Sequence, residues 1–270
     1  MNLKQRPPHR FPDFLGIGAN RGGSSWLYRV LAHHPQLWLR DYLTGDAFRT
    51  SGDGLFANLA WDAHYLFVPE SPAWYVDLFR PHHGQITGEV TPAYAILDEP
   101  AVREIHTQNP GLKALFLLRN PLDRGWSSLV NNLAKKQRRN IREAELPEMY
   151  RRIDASGFQL RSVYARTIRI WSDLFGPDRL FVGYMEQIRD QPAELLRRVC
   201  GFLDIDPESP SAAAQLSAGV NTTRKYSAPM PAEVRRYMAQ SLLPEIEDTH
   251  RLLDNRYTSA WLEQAHAALR

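Results

Sequence analysis

At 270 residues, with 43% hydrophobic and 23% charged side chains, the chain has ordinary globular composition and can bury one sizeable core. One cysteine, Cys200, excludes an intrachain disulfide and a cysteine-cluster metal site, and no apolar run approaches the ~20 residues that span a bilayer. The net charge of +3 fits an anionic ligand, and arginine carries most of the positive charge, a side chain suited to bidentate contact with phosphate or sulfate.

Residues 1–13 are polar and proline-rich, without an apolar signal region, and are expected to be an extension ahead of a single domain spanning 14–270. A soluble, cytoplasmic protein is the expectation. The apolar run Phe14–Gly18 predicts a first strand, and Trp26–His34 its helix, ended by His34-Pro35. Residues 41–80 are rich in glycine, aspartate and aromatics with weak periodicity, and include a short predicted helix over Ala73–Phe79. Strand signals follow at Ile86–Val90 and Leu112–Leu118, and helical ones at Pro100–Gln108 and Leu122–Ala134. The charge-dense Lys135–Ile153 is predicted as a solvated helix, with a basic lid over the substrate as the alternative. Residues 41–80 and 135–157 are therefore expected to be acceptor-side insertions. An amphipathic helix over Ser162–Phe175, a buried strand over Leu180–Tyr184 and a helix over Pro192–Leu203 come next. Helices over Pro231–Leu243, Glu245–Leu253 and Ser259–Leu269 close the pattern. Alternating strands and helices with uninterrupted apolar strands predict an α/β fold with a central parallel sheet and flanking helices.

The first strand runs into Gly18-Ala19-Asn20-Arg21-Gly22-Gly23-Ser24-Ser25 and then a helix. Glycines allow a tight turn whose amides converge, and the helix adds its positive dipole end, which makes a P-loop-like phosphate cradle. Gly18 and Gly23 have the spacing of an ATP/GTP loop, but Ser24 stands where that loop carries lysine, and the nearest cation is Arg21. The strand ending at Leu118 is followed by Arg119-Asn120-Pro121-Leu122-Asp123-Arg124-Gly125-Trp126-Ser127. A metal-dependent NTPase would place an aspartate at that edge, and here an arginine stands instead.

With both loops in view, the chain resembles the sulfotransferase family that uses 3'-phosphoadenosine 5'-phosphosulfate (PAPS). That family's 5'-phosphosulfate loop, Gly-x-x-Lys-Gly-Gly-Thr-Thr-x-Leu-Tyr, is matched by Gly18 to Tyr28, and its following His-Pro by His34-Pro35. Its 3'-phosphate element, Leu-Arg-Asn-Pro-x-x-Arg-x-x-Ser, is matched in register by Leu118, Arg119, Asn120, Pro121, Arg124 and Ser127. Gly88-Glu89-Val90-Thr91-Pro92-Ala93-Tyr94 is similar to Gly-Glu-Lys-Thr-Pro-x-Tyr. Tyr164, Trp171, Glu186 and Phe202-Leu203 follow the family order, and Asn221-Thr222-Thr223-Arg224-Lys225 looks like its late nucleotide loop.

The resemblance implies metal-independent transfer of a sulfuryl group from PAPS to a hydroxyl of a small-molecule or saccharide acceptor, releasing adenosine 3',5'-bisphosphate (PAP). It implies donor binding by Arg21, Gly22, Gly23, Ser24, Ser25, Trp26, Arg119, Ser127, Asn221, Thr222, Arg224 and Lys225. Two family lysines are replaced, one by Arg21 and one by Val90, and the Lys-Glu element after His-Pro has Arg40-Asp41 as its nearest counterpart, with Asp46 a weaker one. Arg21 with the loop amides could neutralise the leaving phosphate.

A hydroxyl acceptor needs a base. Glu89 at the sheet's carboxyl edge is one candidate and Asp41, by family position, the other; the alternative for Glu89 is a carboxylate that fixes a loop. His33 and His34 are read as helix-end residues, Tyr164, Trp171 and Cys200 as core. His82 and His83 are a possible acceptor-loop pair, and Trp61, Tyr65, Phe67, Trp74 and Tyr75 candidate walls of an acceptor pocket. The competing functions are a P-loop phosphotransferase or NTPase and a non-catalytic nucleotide binder. Nucleic acid is not an expected partner, because no aromatics interleave the charge run.

Overall fold

The computed structural model describes residues 11–39, 76, 79, 84–134, 138–216 and 228–270. The candidate residues Asp41, Asp46, His82, His83, Asn221, Thr222, Arg224 and Lys225 lie outside these, as do Lys135, Lys136, the aromatics between Trp61 and Tyr75 and most of the helix expected at Ala73–Phe79.

The central sheet is wholly parallel. Its strands are β1 (Phe14–Gly18), β2 (Leu37–Leu39), β3 (Ile86–Val90), β4 (Lys113–Leu118) and β5 (Leu180–Tyr184), in the order β2-β3-β1-β4-β5. Helix α1 (Ser24–Ala32) follows β1, α2 (Glu99–Gln108) precedes β4 and α3 (Pro121–Asn132) follows it. After these come α4 (Leu146–Asp154), α5 (Tyr164–Phe175), α6 (Met185–Asp190) and α7 (Pro192–Leu203). Helices α8 (Ala232–Leu253) and α9 (Arg256–Leu269) end the chain.

The strands are largely apolar because both faces are covered. Leu15, Ile17, Phe116 and Leu118 join a core with Tyr164, Trp171 and Trp261, while Phe14, Leu115 and Leu117 join a second with Trp26, Leu31 and Cys200. Successive residues of one strand thus feed opposite layers, as the pleat requires. The pairing of β1 with β4 carries the functional consequence. Parallel neighbours end at the same edge, so the loops after Gly18 and after Leu118 emerge side by side. The chain runs from β1 to the edge strand β2 and back to β3 on one side, then crosses β1 to β4 and β5 on the other, which makes this edge the switch point of the sheet.

The sequence-based expectations and the structure differ in several places. Strand β2, only three residues long, is too short to have a period and was missed. Helix α8 is continuous through Pro244, where two helices were expected; Leu242 and Ile246, buried on either side of the proline, hold it together despite the lost hydrogen bond. The charge-dense stretch is not one helix. It divides into a 3-10 turn, Ile141–Glu143, and α4, and Ile141, Met149 and Ile153 are sunk in the core. Its arginines Arg139 and Arg152 meet Glu148, at 3.3 Å and 2.8 Å.

Close approach between β1 and β3 leaves no room for a side chain at Gly88, where a Cβ would lie 2.3 Å from the Phe14 ring. Gly88→Ala is therefore expected to destabilise the fold by about 1–3 kcal/mol through overpacking. A lowered urea midpoint, partly recovered by adding Phe14→Leu, checks it.

Candidate functional site

The loop between β1 and α1 is built on contacts with the end of β4. Ala19 N–H donates to Leu117 O at 2.7 Å, and Gly22 N–H to Ala19 O at 2.9 Å. A Cβ on Gly22 would sit 2.3 Å from Leu117 O, so the loop backbone lies directly on the neighbouring strand and only glycine fits. Gly23 (φ 115°) and Arg21 (φ 67°) both take left-handed backbone, which costs the non-glycine residue about 1 kcal/mol or more. This geometry corrects the simple picture of amides from Gly22 onward facing a ligand, because the Gly22 amide is spent inside the turn. Trp26 N–H is also spent, donating to Gly23 O at 2.9 Å, and the Trp26 side chain is buried in the second core. The amides of Gly23, Ser24 and Ser25 have no acceptor among the described residues and lie at the positive end of α1.

The two loops meet through arginine. Arg119 Nη1 donates to Arg21 O at 3.3 Å. The Arg21 side chain crosses to α3, where Nε donates to Ser127 Oγ at 2.9 Å and Nη1 to Asn131 Oδ1 at 3.3 Å. Ser127 and Asn131, four residues apart, share one face of that helix. Neither Arg21 nor Arg119 has a carboxylate partner among the described residues. Burial, and after it the Arg119 charge, pull the Arg21 guanidinium below its ordinary range. Beneath them lies Arg124, fully buried, donating from Nε to Ser162 Oγ at 2.8 Å and from Nη2 to Phe158 O at 3.1 Å. Its Nη1 is buried without a partner, and burial pulls its guanidinium down to about 10. Arg21 and Arg119 thus stand unmatched by acid where the two loops meet, above a third arginine that is wholly enclosed.

The loop after β4 is held from below and behind. Asn120 caps α3 by accepting from Leu122 N–H at 2.9 Å, and its Nδ2 donates to Gln264 Oε1 of α9 at 3.0 Å. Tyr164 OH donates to Arg119 O at 2.8 Å. Trp261 of α9 donates to Glu186 Oε1 at 2.7 Å, which ties the C-terminal helix to the end of β5. Asn120-Pro121 reads as a capping signature from sequence. The supports from Gln264, Trp261 and Asn131 are long-range and have no local signal.

Glu89 is 4% exposed and faces the Tyr164 side of the sheet. Its Oε1 accepts from Tyr94 OH, and its Oε2 from Thr91 Oγ1 at 3.2 Å. Val90 points the other way, into the second core, and its methyls lie where a Cβ of Gly16 would be, at 2.8 Å and 2.9 Å. His33 Nδ1 lies 2.8 Å from Arg29 O at the end of α1. His34 is buried, accepting from Gln36 N–H at Nδ1 (3.2 Å) and meeting Asp206 O with Nε2 at 2.8 Å, a structural arrangement of the neutral ring.

Burial pushes the Tyr164 phenol up to about 12, whereas the unfolded residue ionises near its ordinary value of about 10. Between those values the native state binds the extra proton, so stability falls as pH rises through that window. Tyr164→Phe is expected to lose about 1 kcal/mol at neutral pH with its bond to Arg119, and the deficit should shrink at alkaline pH. Urea midpoints at about pH 8 and about pH 11 check the sign.

A family model described as "Sulfotransferase domain" matches residues 11–228. Mouse "Heparan sulfate glucosamine 3-O-sulfotransferase 6" is 28% identical over 199 residues, covering 73% of this chain and 53% of its own. The chain thus spans about half the length of that curated relative. Among solved structures, a sulfotransferase from Alicyclobacillus acidocaldarius superposes with a TM-score of 0.65 at 22% identity, covering 93% of this chain and 98% of its own. A mouse sulfotransferase complexed with PAP gives a TM-score of 0.55 at 12% identity, covering 93% and 88%. With the family pattern matched across the sheet, both loops and the helices between them, the chain belongs to the sulfotransferase domain family.

Proposed function

We propose that this chain transfers a sulfuryl group from PAPS to a hydroxyl of a saccharide or small-molecule acceptor, leaving PAP. The observation that carries the reading is the meeting of Arg21, Arg119, Ser127 and the amides of Gly23 to Ser25 without an opposing carboxylate. A doubly phosphorylated nucleotide supplies the missing negative charge at both ends of such a crevice. Glycine at 22 lets the loop backbone lie flat against β4, which brings the loop beside Arg119. The family's PAP-bound mouse member and the heparan sulfate name of the curated relatives support donor and acceptor class respectively.

The donor, when bound, supplies an activated sulfuryl group on a phosphate leaving group. The chain's part is positioning and charge. Ser24 and Ser25 amides, aided by the α1 dipole, face the charge that grows on the leaving oxygen. Arg119 and Ser127 hold the 3'-phosphate. Glu89 takes the acceptor's proton, its orientation fixed by Tyr94 and Thr91. Asn221, Thr222, Arg224 and Lys225 belong to the donor site by the family resemblance; Ala228, three residues beyond Lys225, accepts from Trp126 Nε1 at 2.9 Å, next to Ser127. Cytoplasmic location is part of the proposal, and among the described residues no helix is long and apolar enough to cross a membrane.

A donor-binding protein without turnover is the second reading, favoured by Val90, an apolar core residue where the family carries lysine. Label transfer from radioactive PAPS to a panel of saccharide and small hydroxyl acceptors separates the two. PAP should raise the wild-type melting temperature saturably, and Arg119→Ala should diminish the rise. Stabilisation by ATP with Mg²⁺ and none by PAP would overturn the donor assignment. Glu89→Gln should keep PAP affinity and lower turnover by about 100-fold or more; unimpaired turnover would transfer the base role to Asp41 or a histidine.

A further inference from the structure

Helix α9 lies wholly beyond the stretch that matches the family model, yet it reaches the carboxyl edge of the sheet. Its residue Gln264 is exposed, and Gln264 Oε1 accepts from Asn120 Nδ2 at 3.0 Å, across 144 positions of sequence. Asn120 is only 2% exposed, and both ends of its amide are occupied. Oδ1 caps α3 by accepting from Leu122 N–H at 2.9 Å, while Nδ2 meets Gln264. An aspartate or serine would cap α3 as well. An amide caps the helix and at the same time donates to a second element. We infer that Gln264 is a positioning residue for the loop after β4, acting through Asn120 and not by contact with the nucleotide.

This rests on the proposed use of PAPS as donor. The loop needs holding because the neighbours of Arg119 are cations. Arg21 and Arg124 both lie close enough for the Arg119 charge to pull their guanidinium groups down. No carboxylate among the described residues pairs with any of the three, so the repulsion acts to push the loop outward. Two side chains from other elements oppose it: Tyr164, whose OH donates to Arg119 O at 2.8 Å, and Gln264 on the next residue. They come from different helices, α5 and α9, and so fix the direction of the loop as well as its place. Helix α9 is itself anchored at the end of β5, where Trp261, one turn before Gln264, donates to Glu186 Oε1 at 2.7 Å and Asn255 Nδ2 donates to Tyr184 OH at 2.7 Å. Removing the Gln264 acceptor leaves Asn120 Nδ2 a buried donor without its partner. The loop then spends part of its time in other arrangements, and apparent affinity for the nucleotide falls with the fraction that stays competent.

Isothermal titration of PAP into wild type, Gln264→Ala, Gln264→Met, Asn120→Ser and the combined Asn120→Ser/Gln264→Ala variant tests it. Gln264→Ala and Gln264→Met, which share only the loss of the acceptor, should each weaken PAP by about 3- to 10-fold. Their unliganded urea midpoints should match wild type, because the residue is exposed. Asn120→Ser keeps a cap and loses the donor to α9; in that background Gln264→Ala should change PAP affinity by less than about 1.5-fold. Hydrogen exchange over residues 119–123 should quicken in unliganded Gln264→Ala and return to the wild-type rate when PAP saturates. Unchanged PAP affinity in both Gln264 variants, with or without a shifted midpoint, would overturn the positioning role and leave the donor reading intact. So would an equal loss with and without Asn120→Ser, which would mean that Gln264 acts by another route. Wild type that does not bind PAP would overturn the donor reading and this inference with it.

Discussion

Positive charge that the protein itself does not neutralise is the constraint around which this structure is organised. Arg21, Arg119 and Arg124 gather at one end of the sheet with hydroxyl, amide and carbonyl partners and no carboxylate among the described residues. Elsewhere arginine is treated differently: Arg152 meets Glu148, and Arg169 meets Asp248 through two short contacts. An ion pair satisfies an arginine within the fold. Leaving three without an acid at the carboxyl edge is the charge imbalance on which the proposed phosphate-bearing donor rests.

Such an arrangement is costly unless the backbone that carries it is held firmly. Here the support comes from all sides. The loop after β1 is pressed onto Leu117 O, the loop after β4 is capped by its own Asn120, and Tyr164 holds the Arg119 carbonyl from the α5 side. Helix α9, beyond the stretch that matches the family model, adds Gln264 to Asn120 and Trp261 to Glu186. The helical hairpin of α8 and α9 therefore braces the strand ends β4 and β5 as well as completing the core. Contacts of this kind fix the angle at which donors face a ligand, which is what electrostatic binding and catalysis both require.

Much of the candidate site was legible in the residue order because its signals are local. A glycine turn between strand and helix, an Asn-Pro cap and a serine two turns on are each written within a dozen residues, and the interval between the two loops placed them on different strands of one sheet. What Glu89 touches was not legible, since Tyr94 and Thr91 reach it only once the 3-10 turn Pro92–Ile96 has formed. The spent amide of Gly22 was likewise invisible: whether a glycine N–H faces a ligand or its own turn depends on one carbonyl, Ala19 O. The charge run after α3 is not the single helix that its charge density suggested: its arginines stay exposed or half-buried, but Ile141, Met149 and Ile153 are drawn into the core from two separate turns.

The amino-acid order by itself determined the α/β class, the parallel sheet, the two phosphate-type loops and the family they resemble, because apolar runs, glycine turns and caps act over short stretches of chain. Only the tertiary structure decided that β1 and β4 are neighbours, that Arg21 reaches across to Ser127 and Asn131, and that α9 supports Asn120. Those contacts join residues about a hundred or more positions apart, and no local preference encodes them. They follow from burying both faces of one sheet at once.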